Sequence, residues 1–209
     1  MNPLLVLPVK SLAGGKSRLA LHLAPAQRRS LNAELLARTL ALAARFPSLE
    51  HTLVVSRCPE VLAMARARGA AVLVEQGCGL NTAVAQSLQL PMHAQDRPGS
   101  RVLVLSCDLP LASEQDLRAL AAHDGVVLAT DRAGTGTNAL GLPRGLPFQP
   151  HYGPASRQHH TAEAALRGQP CRVLHRPGLA FDLDTWDDYR EWQRQPEGHA
   201  RGETPRLAA

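Results

Sequence analysis

Leu4-Leu5-Val6-Leu7-Pro8-Val9-Lys10-Ser11-Leu12-Ala13-Gly14-Gly15-Lys16-Ser17-Arg18-Leu19 is the stretch whose reading decides the fold. Leu4–Val9 is a near-continuous apolar run, which predicts a strand buried on both faces of a parallel sheet. It gives way to a small, glycine-containing, basic loop. Lys10 and Lys16 are the only lysines among the 23 Lys+Arg, and every other cationic side chain is arginine. An ammonium is a compact point charge on a flexible stem, whereas a guanidinium is a rigid planar fork. Two lysines kept in one loop therefore point to a site that follows a moving phosphate group. Gly15-Lys16-Ser17 lies close to the pattern G-x-x-x-x-G-K-[ST], but the first glycine of that pattern falls on Lys10, so a P-loop ATPase is not expected. A looser grip survives. Gly14 and Gly15 let the backbone approach an anion, Lys16 and Arg18 supply the charge, and Lys10 stands in support.

Outward from this stretch, short apolar strands alternate with helical segments. Helices are expected over Ala26–Arg45, Pro59–Arg68, Asn81–Leu90, Ser113–Ala122, Ser156–Arg167 and Trp186–Gln193. Strands are expected over Thr52–Val55, Ala71–Val74, Val102–Leu105, Val126–Thr130, Asn138–Leu142 and Arg172–His175. Repeated β-α units of this length imply an α/β fold with a doubly wound, mostly parallel sheet and helices on both faces. The expected organisation is one domain over 1–195 with a polar tail over 196–209, and 93–100 is expected to be a surface loop.

Composition narrows the function classes. A hydrophobic content of 44% with 20% charged residues is that of a globular chain. No apolar run approaches the roughly 20 residues of a membrane span. The start carries no basic segment before its apolar run, so no secretory leader is expected. Cys58, Cys78, Cys107 and Cys171 form no C-x-x-C pair, which argues against a zinc site or a disulfide framework and for a reducing cytoplasm. The net charge of +5 comes from scattered arginines, and aromatics make up only 3% of the chain. With no basic tract and few stacking platforms, nucleic acid is not an expected partner.

In a doubly wound sheet, ligands sit at the carboxyl ends of the strands. The loops that fall there are Lys10–Arg18, Glu75–Asn81, Cys107–Pro110, Asp131–Thr137 and the neighbourhood of Asp182–Asp184. Asp108 follows an otherwise apolar strand. Asp182-Leu183-Asp184 puts two carboxylates on one side of an extended segment. Magnesium takes oxygen ligands, through one or two carboxylates plus substrate phosphates, so Asp108, Asp182 and Asp184 are candidate Mg²⁺ ligands. As ordinary residues, the same aspartates would cap or turn the chain. The hydroxyl-rich loop Asp131–Thr137 could cradle an anion. Ser156 lies at a helix start, where free N–H groups favour negative charge, with His160 facing the site and His159 in solvent. Glu75 could accept hydrogen bonds from the N1–H and N2–H₂ edge of guanine.

Together these segments resemble the guanylyltransferases of deazaflavin coenzyme F-420 biosynthesis, the 2-phospho-L-lactate guanylyltransferase family. The matching residues are Pro8-Val9-Lys10 with Lys16-Ser17-Arg18-Leu19, Gly79-Leu80-Asn81, Asp108-Leu109-Pro110, and Asp131 through Gly136-Thr137-Asn138. Tyr152-Gly153-Pro154 with Ser156 and His160, and Asp182-Leu183-Asp184, complete the set. They occur in the family's order over most of residues 4–190. The resemblance implies a nucleotide-diphospho-sugar transferase-like fold (GT-A, Rossmann-type) and a GTP-dependent enzyme. It implies Mg²⁺ on Asp108, Asp182 and Asp184, with nucleotide contacts at Gly79 and Asn81. It places the acceptor's phosphate and carboxylate end at Thr137, Gly153 and Ser156, with Asn138 and His160 beside them. Arg157 stands where an aromatic is more usual and Cys107 where a small residue is. Both departures bear on the acceptor more than on the reaction.

The expected reaction is attack by the phosphate of a small phosphorylated acid on the α-phosphorus of GTP, with release of pyrophosphate. Lys16, Arg18 and Asp108 are the expected catalytic residues. The acid's phosphate has a second pKa near 6 and is largely dianionic at pH 7, so no general base is required. 2-Phospholactate, phosphoenolpyruvate and 3-phosphoglycerate all fit as acceptors. A homodimer is a further expectation, with no particular residue to carry it. Competing readings are a molybdenum-cofactor or methylerythritol-phosphate nucleotidyltransferase, a glycosyltransferase using Asp182-Leu183-Asp184, and a non-catalytic nucleotide-binding regulator.

Overall fold

A computed structural model of the protein describes residues 2–90 and 99–195. Most of the loop expected over 93–100, and the tail expected over 196–209, lie outside the described residues.

The chain runs β1 (Leu4–Pro8), α1 (Pro25–Arg45), β2 (Thr52–Ser56), α2 (Pro59–Ala67), β3 (Ala71–Val74), α3 (Leu80–Leu88) and β4 (Arg101–Leu105). It continues with α4 (Glu114–Ala121), β5 (Val126–Ala129), β6 (Ala139–Pro143), α5 (Ser156–Leu166), β7 (Cys171–Leu174), α6 (Pro177–Ala180) and α7 (Trp186–Arg194). The expected elements are present, with ends shifted by one or two residues. The four-residue α6 was not anticipated, because one turn leaves no periodicity to read.

The seven strands lie in the order β3-β2-β1-β4-β6-β5-β7. β1 pairs in parallel with β2 and β4, while β6 runs antiparallel to both β4 and β5. The alternation within β1 explains why helices cover both faces. Leu5 and Leu7 face a core with Leu36 and Leu40 of α1, Val61 of α2 and Leu117 of α4. Val6, between them, faces a second core with Val84 of α3 and Ala164 of α5. All three strand residues are completely buried, and each such aliphatic side chain contributes about 1.5–3 kcal/mol relative to exposure.

The strand order reverses at β1, which has β2 on one side and β4 on the other. A crevice opens at such a switch point outside the carboxyl ends of the strands. The loop after β1 carries Lys10–Arg18 and the loop after β4 carries Ser106–Asp108, so the topology puts both at the crevice.

A third core decides what joins them. Leu19, Leu23, Leu31, Leu35, Phe181, Leu183 and Trp192 pack together, with Leu19 and Leu183 fully buried. Leu19 ends the 3-10 turn Ser17–Leu19, directly after the basic loop, and Leu183 sits between Asp182 and Asp184. Burying these two leucines in one cluster brings the first loop of the chain against its last extended segment.

Candidate active site

A cleft of about 950 Å³ opens at this crevice, walled by the β1 loop from Pro8 to Arg18, by Arg57–Pro59, Glu75, Cys78–Leu80 and Ala83, and by Ser106–Asp108 with Asp184. Of the nucleotide, catalytic and metal candidates, Lys10, Gly14, Gly15, Lys16, Arg18, Glu75, Gly79, Asp108 and Asp184 line it. Arg57, Cys58 and Ser106 line it too. Arg57 and Cys58 follow β2, and the carboxyl-end rule applied to that strand would have found them.

Lys16 is the centre of the charge distribution. Its Nζ lies 2.9 Å from Asp108 Oδ2 and 2.9 Å from Asp184 Oδ1, 92 and 168 residues away. Its side chain is only 7% exposed. Burial alone would lower the ammonium's pKa, but the two facing carboxylates outweigh it and the pKa is raised, so the cation persists at neutral pH. The backbone at Lys16 is left-handed, at φ 58° and ψ 42°, which costs a non-glycine residue about 1–2 kcal/mol. Arg18, 72% exposed, reaches Asp184 Oδ2 at 3.5 Å from the solvent side.

The carboxylates are fixed by backbone bonds as well. Leu183 N–H donates to the Asp108 carbonyl at 2.9 Å, tying the β4 loop to the D-L-D segment. Asp184 N–H donates to Asp188 Oδ2, which also closes the capping box with Thr185 at the start of α7. Burial and the neighbouring charges of Asp108 and Asp184 raise the pKa of Asp182, opposed by its own backbone N–H. Asn138 Nδ2 donates to the Leu179 carbonyl. Among the described residues no three carboxylate, histidine or cysteine side chains are grouped to hold a metal ion. Asp108 and Asp184 converge on the ammonium of Lys16.

Gly15 of the β1 loop serves its packing. A Cβ on Gly15 would lie 2.7 Å from Asn32 Nδ2, and that amide donates to the Leu12 carbonyl to anchor the loop on α1. On the opposite wall Glu75 Oε1 accepts from Gly79 N–H at 2.9 Å. Asn81 spends its amide on the backbone of Tyr152, accepting from N–H at 2.6 Å and donating to C=O at 3.1 Å. It clasps the start of α3 to the segment 150–154 and does not line the cleft.

The acceptor candidates form a second cluster beside the cleft. Asp131 Oδ1 accepts from the N–H groups of Thr135 and Gly136, folding the loop that ends at Thr137. Asn138 C=O accepts from Ser106 N–H at 3.0 Å, joining this loop to the cleft wall. Gly153 (φ 128°) and Ala155 (φ 54°) turn the chain into α5. Ala155, not Ser156, occupies the cap position, and Ser156 is buried in the first turn. His160 is completely buried while His159 is exposed. His160 Nε2 accepts from His151 N–H at 2.9 Å, and Nδ1 lies 3.0 Å from Thr137 Oγ1.

Burial, reinforced by His151 and His159 and opposed by Glu163, pushes the His160 pKa down to about 4. The unfolded chain binds this proton near pH 6.5, so between pH 6.5 and 4 the unfolded state holds more protons and stability falls as pH falls. The expected contribution lost by pH 4 is about 3 kcal/mol. Urea denaturation from pH 7 to pH 4 measures it, and His160→Asn should flatten that slope.

A family model described as "Guanylyl transferase CofC like" matches residues 4–201. Phosphoenolpyruvate guanylyltransferase of Sphaerobacter thermophilus is 38% identical over 195 residues, covering 91% of this chain and 92% of that protein. 3-Phospho-D-glycerate guanylyltransferase of Phenylobacterium zucineum is 35% identical over 205 residues, covering 95% and 93%. A solved structure described as a nucleotide-diphospho-sugar transferase of Desulfovibrio desulfuricans G20 superposes with a TM-score of 0.69 at 15% identity, covering 92% of this chain and 90% of that one. It is similar in fold.

Proposed function

The chain belongs to the CofC-like guanylyl transferase family, and from that premise we propose that it transfers GMP from GTP to the phosphate of a small phosphorylated three-carbon acid, releasing pyrophosphate. The observation that carries this reading is the ammonium of Lys16 between Asp108 and Asp184 at the head of the cleft. Bringing two polyanions together demands positive charge held in place, and catalysis of this kind is positioning plus charge neutralisation. Arg18 at the rim and Lys16 within supply that charge to the triphosphate, with Lys10 beside them on the same loop.

A cation at 2.9 Å from an oxygen of each carboxylate identifies their meeting point as a place that positive charge fills. The donor set is hard carboxylate oxygen, as magnesium requires. Asp108 and Asp184 would hold Mg²⁺ arriving with the nucleotide, with Asp182 close behind. The ion would supply charge neutralisation and Lewis acidity at the α-phosphate.

Phosphoenolpyruvate, named for the Sphaerobacter thermophilus relative, leads as the acceptor; 3-phosphoglycerate, named for the Phenylobacterium zucineum relative, follows, and 2-phospholactate is the third acid to compare. The product would enter the assembly of coenzyme F-420, and the site of work would be the cytoplasm. One methylene-sized difference in a pocket is worth only about 1–3 kcal/mol, so the acids are to be compared directly. Protein, Mg²⁺ and GTP incubated with each acid should release pyrophosphate with at least one of them. No release with any would overturn the reading.

For the base we propose Glu75, whose Oε1 is committed to Gly79 N–H and whose second oxygen remains for guanine N1–H or N2–H₂. Glu75→Gln keeps a carbonyl for Gly79 and removes the carboxylate. The ratio of kcat/KM for GTP over ATP is expected to fall by about tenfold or more, a loss of about 1.4 kcal/mol. An unchanged ratio excludes Glu75 from base selection.

A further inference from the structure

The buried histidine beside the acceptor loop is unused by the chemistry above, and its hydrogen bonds determine its tautomer. His160 is completely buried. A backbone N–H can only donate, so the bond from His151 N–H at 2.9 Å requires a bare, accepting Nε2. A neutral imidazole with a bare Nε2 carries its proton on Nδ1. Nδ1–H therefore donates to Thr137 Oγ1 at 3.0 Å. A hydroxyl that accepts this bond keeps its own proton for another acceptor. Thr137 is itself buried, and His160 is its only side-chain hydrogen-bond partner among the described residues.

The geometry points to His160 as a positioning residue for the acceptor acid, presenting the Thr137 hydroxyl as a fixed donor to an anionic oxygen. Two features hold the imidazole in this role. Tyr152 packs edge-on against it with ring centroids 4.8 Å apart, and Phe148 lies at 5.8 Å. The backbone that donates to Nε2 belongs to the same segment that Asn81 clasps to the nucleotide cleft. An imidazolium would lose the bond from His151, which is why a neutral ring is needed here. The inference rests on the guanylyl-transfer reading for the identity of the acid and for its contact with Thr137, and on the structure alone for the tautomer.

Two measurements test it. Long-range ¹H–¹⁵N correlation on histidine-labelled protein should show His160 protonated at Nδ1 and bare at Nε2. An Nε2–H tautomer would overturn the proposal without any reference to activity. In steady-state kinetics, His160→Leu is expected to raise KM for the phosphorylated acid about tenfold, leaving KM for GTP within about twofold. His160→Asn carries an amide N–H near the place of Nδ1–H and is expected to return to within about threefold of the parent. Thr137→Val should reproduce the His160→Leu loss, and the double variant should be no worse than either alone. An unchanged acid KM in His160→Leu, or an equal rise in both KM values that His160→Asn does not repair, would reduce His160 to a packing residue. Parent protein that turns over no acid with GTP would instead sink the guanylyl-transfer reading, with the tautomer still decided by the spectrum.

Discussion

Asp108→Asn is expected to lower kcat by about a thousandfold or more while the protein keeps its fold. The fold is spared because the backbone carbonyl of residue 108 takes the bond from Leu183 N–H, and asparagine keeps it. Lys16 also retains Asp184 at 2.9 Å. What is lost is one of the two negative charges that aim the ammonium and any metal accompanying the nucleotide. Removing a charge that is preorganised for a transition state costs rate rather than structure. Single-turnover measurements with saturating GTP and acid, alongside circular dichroism, separate the two. A variant with more than about a tenth of the parent's rate would remove Asp108 from the reacting centre.

The second large effect is expected at Lys16. Lys16→Met removes the cation from between two carboxylates and leaves them facing each other, so two consequences should appear together. kcat/KM for GTP should fall by about a hundred- to a thousandfold, because the triphosphate loses its buried charge. Stability should fall by about 1–2 kcal/mol, discounted for carboxylates that are 32% and 39% exposed. Added Mg²⁺ should then raise the melting temperature more in the variant than in the parent, since the bared carboxylates bind it without competition. Lys16→Arg should not restore activity, because a planar fork cannot set one compact charge between both oxygens. An unchanged KM for GTP, or the same Mg²⁺ effect in both proteins, would contradict the assignment.

The fold was legible because its signals are local. Leu4–Leu7 is apolar at every position, and a strand buried on both faces leaves that trace. Glycine, lysine and aspartate then cluster where strands end, and the sheet brings those ends to one edge. The reversed direction of β6 was not legible. A short buried strand carries the same apolar run whichever way it points, and its antiparallel pairing is fixed by the 131–137 loop folding around Asp131.

The site was legible as residues and not as partnerships. Lys16 and Asp184 could each be singled out, but their contact spans 168 positions and depends on Leu19 and Leu183 sharing a buried cluster. The left-handed backbone at Lys16 has no sequence signature, since glycine and asparagine are the residues that usually announce it. The amide of Asn81 meets the backbone of Tyr152, and no pattern within one segment can show a clasp between two. Ser156 was expected near a helix start and is there, one residue inside a cap made by Ala155.

In the proposed reaction the acid's phosphate attacks the α-phosphorus of GTP. Parent protein is to be incubated with Mg²⁺, phosphoenolpyruvate and GTP labelled at either the α- or the γ-phosphorus, in parallel with the other two acids. The expected result is that the α label appears in a new compound with the mass of the acid plus GMP less one water, while the γ label leaves as pyrophosphate. Release of the γ label as inorganic phosphate, or recovery of the α label only as nucleotide with every acid, would contradict the account.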